Sequence, residues 1–263
     1  MVTASADVRS IARSAAKCLA RLEPARRRAP RPAGRRIRPA RKPVSLAELN
    51  LRAGRAVVEP AGNLSPAYRR IKRLCDFLGV LTLLLLLAPA MLAVLVVLSI
   101  ATRGKPLYFQ RRAGYLGRPF WMAKFRTMRP DADRLQHLVA NEVSGPVFKN
   151  RRDPRITRLG RWLRKTSLDE TPQLLNVLLG QMSLVGPRPL PVAEVARFEP
   201  WQRQRLAVLP GLTCLWQVNG RSEIGFLDWI RMDLWYVRHQ SLRTDCKLLL
   251  STPLCVLTGR GAY

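Results

Sequence analysis

Leu81-Thr82-Leu83-Leu84-Leu85-Leu86-Leu87-Ala88-Pro89-Ala90-Met91-Leu92-Ala93-Val94-Leu95-Val96-Val97-Leu98 is the heart of an uncharged run from Phe77 to Thr102. At ~1.5 Å per helical residue, about 26 residues reach about 39 Å, enough to cross a hydrocarbon core of roughly 30 Å. A buried helix in a soluble core is the weaker reading at this length and apolarity. Arg69, Arg70, Lys72 and Arg73 precede the run, and Arg103, Lys105, Arg111 and Arg112 follow it. Positive residues mark the cytoplasmic side, so both ends are expected there. Pro89 removes an i to i−4 hydrogen bond in mid-run and bends the helix. A re-entrant helix-break-helix that dips into one leaflet and returns meets these demands. A single span kinked at Pro89 is the alternative that these features leave open.

Upstream, residues 1–65 are rich in Arg, Pro and Ala and lack apolar periodicity. Such a segment cannot bury enough surface to offset its ordering entropy, so a disordered basic tail is expected. No apolar stretch follows its charges at signal-peptide distance. The chain has 46 Lys plus Arg against 17 Asp plus Glu, a formal net charge of +29. That balance implies an anionic partner: anionic membrane lipids, a phosphorylated substrate or nucleic acid. The tail reads as lying near anionic headgroups rather than on nucleic acid. Five cysteines without a CxxC pair suggest neither a disulfide framework nor a zinc site. Two histidines argue against a His-rich metal centre but leave room for a hard cation held by carboxylates and phosphates.

Downstream, residues 103–263 read as one mainly α domain with a small β-hairpin. Leu107–Gln110 and Phe120–Phe125 are strand-like runs joined through Gly114 and Gly117. Helices are expected over 131–140, 158–166, 172–179, 191–208 and 225–239. Neither GxGxxG nor a Walker-type loop is present.

The candidate chemistry sits in Arg164-Lys165-Thr166-Ser167-Leu168-Asp169-Glu170-Thr171-Pro172-Gln173-Leu174-Leu175. A carboxylate pair within so basic a region is an unusual surface feature. Thr171 suits an N-cap and Pro172 the first helical position, which sets Asp169 and Glu170 ahead of a helix N-terminus. Ser167-x-x-Glu170 also matches a capping box, the plain structural alternative. A carboxylate can attack phosphorus and form an acyl phosphate, provided cations neutralise the phosphoryl oxygens. Arg158, Arg161, Arg164 and Lys165 recur at helical spacing. Gly186-Pro187-Arg188-Pro189 is a rigid turn presenting one Arg. Lys124-Phe125-Arg126-Thr127-Met128 pairs cations with apolar neighbours. Asp233, on an amphipathic helix, reads by itself as a salt-bridge partner.

These residues together resemble the bacterial sugar transferase family, the monotopic polyprenyl-phosphate phosphoglycosyl transferases. The resemblance covers about residues 66–263. It rests on Tyr68–Arg73 with Asp76, Gln110-Arg111-Arg112-Ala113-Gly114, Lys124–Met128, Asp153-Pro154-Arg155-Ile156-Thr157, Ser167–Glu170 and Met182–Pro189. Pro210-Gly211-Leu212-Thr213, Trp216–Arg221 and Gly259–Tyr263 complete it. The resemblance implies transfer of a sugar-1-phosphate from a UDP-sugar to undecaprenyl phosphate, with UMP released, as the first step of exopolysaccharide or related glycan synthesis. It implies that Asp169 is the nucleophile and that Glu170 holds Mg²⁺. Lys124, Arg126, Arg164, Arg188 and Asp233 are then expected around the substrate phosphates. It favours the re-entrant topology, with the catalytic domain on the cytoplasmic face of the bacterial inner membrane. No nucleic acid is expected as partner, and a homodimer is compatible with the sequence. Thr171, Gln181, Cys214 and His239-Gln240 depart from the family pattern without removing a proposed catalytic group. The sugar is not legible. A non-enzymatic basic membrane protein is the competing reading, and it leaves Asp169-Glu170 unexplained.

Overall fold

The computed structural model describes residues 65–258 apart from Ser144. The basic tail up to residue 64 and the closing Gly259–Tyr263 stretch lie outside the described residues. Helix α1 (Pro66–Ala101) starts with Ser65 as its cap, whose hydroxyl oxygen accepts from the Tyr68 amide at 3.1 Å. Pro66 follows at the first turn, where a missing N–H costs nothing. The helix runs for 36 residues with Pro89 inside it. Where sequence leads one to expect two helices and a break, one helical element is present.

α1 is the one described helix long and apolar enough to cross a membrane. Much of its surface has no protein cover: Leu85 is 80 % and Ile100 77 % exposed. Its inner stripe meets the rest of the protein twice. Val80, with Leu83, Leu84 and Leu87, joins the main core. Val94 and Leu98, with Met91 and Leu95, pack on Phe125, Leu163, Leu159 and Leu168. Both halves of the helix therefore rest on the same globular body. Polar groups reinforce the first half. Lys72 Nζ pairs with Asp245 Oδ2 at 2.8 Å and donates to the Val185 carbonyl, while an Asp76 oxygen accepts from the Leu184 amide.

Strands β1 (Leu107–Ala113) and β2 (Pro119–Phe125) form the expected hairpin, antiparallel from Leu107 opposite Phe125 to Ala113 opposite Pro119. Gly117 takes the left-handed conformation (φ 78°) that the connecting turn requires. The two-residue period puts Tyr108, Gln110 and Arg112 on one face of β1, with Lys124 opposite Tyr108. Helices α2 (Arg158–Thr166) and α3 (Gln173–Leu178) follow. Strand β3 (Ser183–Val185) comes next, then the short helices α4 (Val192–Val195) and α5 (Pro200–Arg203). Strand β4 (Gly211–Thr213) precedes α6 (Leu215–Asn219), α7 (Phe226–Arg238) and α8 (Leu242–Thr258). The protein is mostly helical, as the sequence implies.

Two expected helices are corrected. Residues 131–140 form turns and a short 3₁₀ segment (Gln136–Leu138). There Arg155 Nη1 donates to the Ala132 carbonyl at 3.1 Å, taking the acceptor that a helix would offer to the Gln136 amide. The 191–208 segment is split into α4, α5 and a 3₁₀ turn at Gln204–Ala207. Pro200 has no N–H and forces Glu199 into an extended conformation (ψ 157°), which divides it. Helix α8 and the parallel β3–β4 pair have no sequence forecast: Pro253 interrupts the helical pattern of α8, and the strands are three residues each.

Candidate active site

The carboxylate pair is aimed by a tight chain reversal. Thr157 caps α2 by accepting from the Gly160 amide at 2.9 Å. Gly160 sits directly against the Thr127 carbonyl, where an added Cβ would stand 1.9 Å away. Ser167 ends α2 in the left-handed region (φ 59°), its amide donating to the Arg164 carbonyl. A 3₁₀ turn, Leu168–Glu170, then leads into α3. The capping roles expected from sequence are revised here. The Thr171 hydroxyl donates to the Leu168 carbonyl at 2.8 Å, and Pro172 occupies the cap position of α3. Leu168 packs into the apolar cluster formed by Phe125, Leu163 and the α1 residues Val94 and Leu98, while the two carboxylates line a cavity.

They face a cavity of about 580 Å³ whose lining includes Arg112, Lys124, Arg164, Asp169, Glu170 and Arg188. Glu170 is held there by two cations. Arg188 donates Nη1 to Oε2 at 2.9 Å and Nη2 to Oε1, while Lys124 Nζ reaches Oε1 at 3.1 Å. Burial pushes the Glu170 carboxyl up, but Arg188 and Lys124 outweigh it and hold the group well below the usual carboxylate range.

Asp169 is its opposite. It is 6 % exposed and takes part in none of the ion pairs that hold Glu170. Burial, and next the charge of Glu170, push its carboxyl up to about 6 against the pull of Lys124, Arg164 and Arg188. One carboxylate is thus held ionised and engaged by its cation partners, and the other titrates closer to neutral pH with its oxygens uncommitted. That is the division expected of an anchoring group and an attacking group.

The cations are placed by neighbouring backbone. Arg164 donates Nε to the Thr127 hydroxyl at 3.0 Å, fixed by the same contact that needs Gly160. Arg188 sits on a turn between β3 and α4 whose carbonyls are individually bonded. Val185 accepts from Lys72 and Tyr236, Pro187 from the Gly211 amide, Arg188 from Arg205, Pro189 from Arg112 and Leu190 from the Ala113 amide. Gly186 and Gly211 touch backbone to backbone, a Cβ on Gly211 standing 2.0 Å from the Gly186 nitrogen.

Lys124, Arg164 and Arg188 join the carboxylate pair in the cavity. Arg126 lines it too, but its guanidinium donates to the Lys105 and Leu107 carbonyls and lies over the Tyr108 ring. Asp233 is buried behind the Arg188 turn, paired with Arg205, away from the cavity lining. Arg158, Arg161 and Lys165 are exposed. The sequence reading passes over Arg112. It lines the cavity, donates to Gln110 Oε1 at 2.6 Å, and keeps a buried Nε without a hydrogen-bond partner. The alternation of Tyr108, Gln110 and Arg112 is the signal that finds it.

Among the described residues no three His, Cys, Asp or Glu side chains cluster as a protein-only metal cage. The donor set is compatible with Mg²⁺ nonetheless. A carboxylate offers about four lone-pair positions, and Mg²⁺ is commonly bound by one or two carboxylates with phosphates and waters. Glu170 uses three positions, and Asp169 stands next to it.

A family model described as bacterial sugar transferase matches residues 67–259. The chain is 43 % identical over 195 residues to the galactosyl transferase CpsE of Streptococcus agalactiae, covering 73 % of this chain and 43 % of that protein. It is 38 % identical over 201 residues to the undecaprenyl-phosphate galactose phosphotransferase of Salmonella typhimurium, covering 74 % and 42 %. It is also 35 % identical over 212 residues to the exopolysaccharide production protein ExoY of Sinorhizobium fredii, covering 78 % and 91 %. The chain thus spans under half the length of the first two and nearly all of the third.

Proposed function

The chain belongs to the bacterial sugar transferase family, and on that premise we propose that it transfers a sugar-1-phosphate from a UDP-sugar to undecaprenyl phosphate. The observation that carries this reading is the unequal carboxylate pair inside a cation-lined cavity, on a turn whose Leu168 shares an apolar cluster with the long apolar helix.

An ionised Asp169 oxygen attacks the β-phosphorus of the UDP-sugar. The new bond is an acyl phosphate, and the phosphoanhydride to UMP breaks, UMP leaving as a phosphate monoester. An oxygen of undecaprenyl phosphate then attacks the same phosphorus and expels the Asp169 carboxylate. The product is undecaprenyl-diphospho-sugar. One phosphoanhydride replaces another, so the overall step lies near equilibrium. Lys124, Arg164, Arg188 and Arg112 surround the phosphates, and their charge exceeds that of the two carboxylates before substrate enters. Such preorganised charge stabilises the extra negative charge of the transition state. Glu170 holds Arg188 and Lys124 in place and, with the diphosphate, would hold Mg²⁺, which supplies further charge neutralisation.

The packing of α1 supports a membrane arrangement for this reading. Val80 and Val94 face the same globular body, and the basic residues at both ends favour the cytoplasmic side. Both ends of α1 on one face of the bacterial inner membrane, with the apolar flank in lipid, suits these contacts. The polyprenyl phosphate then reaches Asp169 from the bilayer while the nucleotide comes from water. Galactose or glucose is the expected sugar, from the kinds of enzyme named among the relatives. The test is UMP release from a panel of UDP-sugars with undecaprenyl phosphate and Mg²⁺. No release with any of them would remove the reading.

A further inference from the structure

Arg205 and Asp233 are each 1 % exposed at the side chain and lie within 2.7 Å of one another. Taking two charges this far from water is costly. Replacing a buried ion pair by apolar residues is often neutral or stabilising, so stability alone is a poor reason to keep one. The geometry supplies another reason. Arg205 Nε donates to Asp233 Oδ2 at 2.8 Å, and its Nη2 donates to the Arg188 carbonyl at 2.7 Å. Asp233 stands mid-way along α7, and Arg205 in the 3₁₀ turn Gln204–Ala207. Neither lines the cavity. The planar guanidinium spreads these contacts over two nitrogens, Nε and Nη2, in a fixed fork, a geometry that the single nitrogen on a flexible lysine stem does not reproduce. The pair therefore ties the backbone of Arg188 to α7, on the far side from its grip on Glu170.

We propose that Arg205 and Asp233 are positioning residues that set the reach of Arg188 to Glu170 and to the substrate diphosphate. Asp233 orients the Arg205 guanidinium, Arg205 holds the Arg188 carbonyl, and Arg188 touches the reacting groups. Asp233 thus acts on the phosphates through two intermediaries and makes no contact with them. The inference rests on the transferase reading.

The experiment compares full-length variants in detergent with the wild type, reading kcat and KM for UMP release. Asp233→Asn and Arg205→Lys are expected to lower kcat at least tenfold when read at a temperature where each variant is folded; Asp233→Asn also lowers the melting temperature, because it leaves the buried Arg205 without its counter-ion. In an Arg188→Ala background the same substitutions should add less than about twofold, because their effect passes through a side chain already removed. Multiplying effects in that background would overturn the proposal. Should the single variants unfold, Arg205→Met combined with Asp233→Leu removes both charges together. That variant is expected to fold and to lose turnover; wild-type turnover in it would also overturn the proposal. If the wild type itself releases no UMP, the transfer reaction is what fails. The pair is then read by calorimetry with UDP, whose affinity should fall in Asp233→Asn and not fall further in the Arg188→Ala background.

Discussion

Arg188 grips Glu170 with both guanidinium nitrogens, Nη1 to Oε2 and Nη2 to Oε1, and so fixes which of two adjacent carboxylates is spoken for. Asp169, one residue earlier, is left buried and uncommitted. The expected outcome of Asp169→Asn is loss of turnover by at least about 10³-fold. Its melting temperature should be unchanged or higher. The folded protein raises this carboxyl to about 6, so holding it ionised at neutral pH costs stability relative to the unfolded chain, and a neutral isostere relieves that cost. Activity assays and thermal melts on the same preparation check both halves.

Arg188→Lys keeps the charge and loses the two-pronged contact. A drop in kcat/KM on the order of tenfold to a hundredfold is expected, about 1.4–2.8 kcal/mol. A steady-state comparison with saturating lipid acceptor measures it. Undiminished kcat/KM would mean that point charge alone suffices at this position.

The pH profile follows from the same unequal pair. Asp169 attacks only when ionised, and its carboxyl is pushed up to about 6. The rate should therefore be steady above neutrality and fall as pH drops through about 6, approaching tenfold per unit. Glu170 stays charged across this window because Arg188 and Lys124 hold it low. In Arg188→Lys the inflection should move up, since a weaker cation contact stabilises the Asp169 anion less. A flat profile down to pH 5 would argue against an Asp169 nucleophile.

Topology is open to direct labelling. Single cysteines at Arg70 and Lys105, in a background without the native five, should react with a membrane-impermeant maleimide from the same face. Labelling from opposite faces would establish a single crossing of α1.

Lys72→Met should cost about 2–3 kcal/mol of stability, because it leaves Asp245 buried without its cation. The Tyr68 and Tyr236 hydroxyls still donate to that carboxylate, which keeps the loss at the lower end. The Val185 carbonyl, three residues before Arg188, loses one of its two donors. A parallel fall in UMP release is therefore expected. Thermal melts in detergent check the stability term.

Local chemistry made much of this protein readable from the chain alone. The apolar run, the β-hairpin, α2 and α7 follow from hydrophobicity, period and caps, which act over a few residues. The pairing of Asp169 with Glu170 is likewise a matter of adjacency. Long-range contacts decided the rest. Arg155 takes a carbonyl from a would-be helix at 131–140, whereas Pro200 divides the 191–208 segment by a local rule that was legible in the chain. The halves of α1 on either side of Pro89 belong to one helix because both lie on the globular body. Asp169 and Glu170 carry nearly the same side chain. Only the tertiary structure brings Arg188 and Lys124, 18 and 46 residues away, to Glu170 and raises the Asp169 carboxyl to about 6. Electrostatic environment depends on distance in space, and that is not written in residue order.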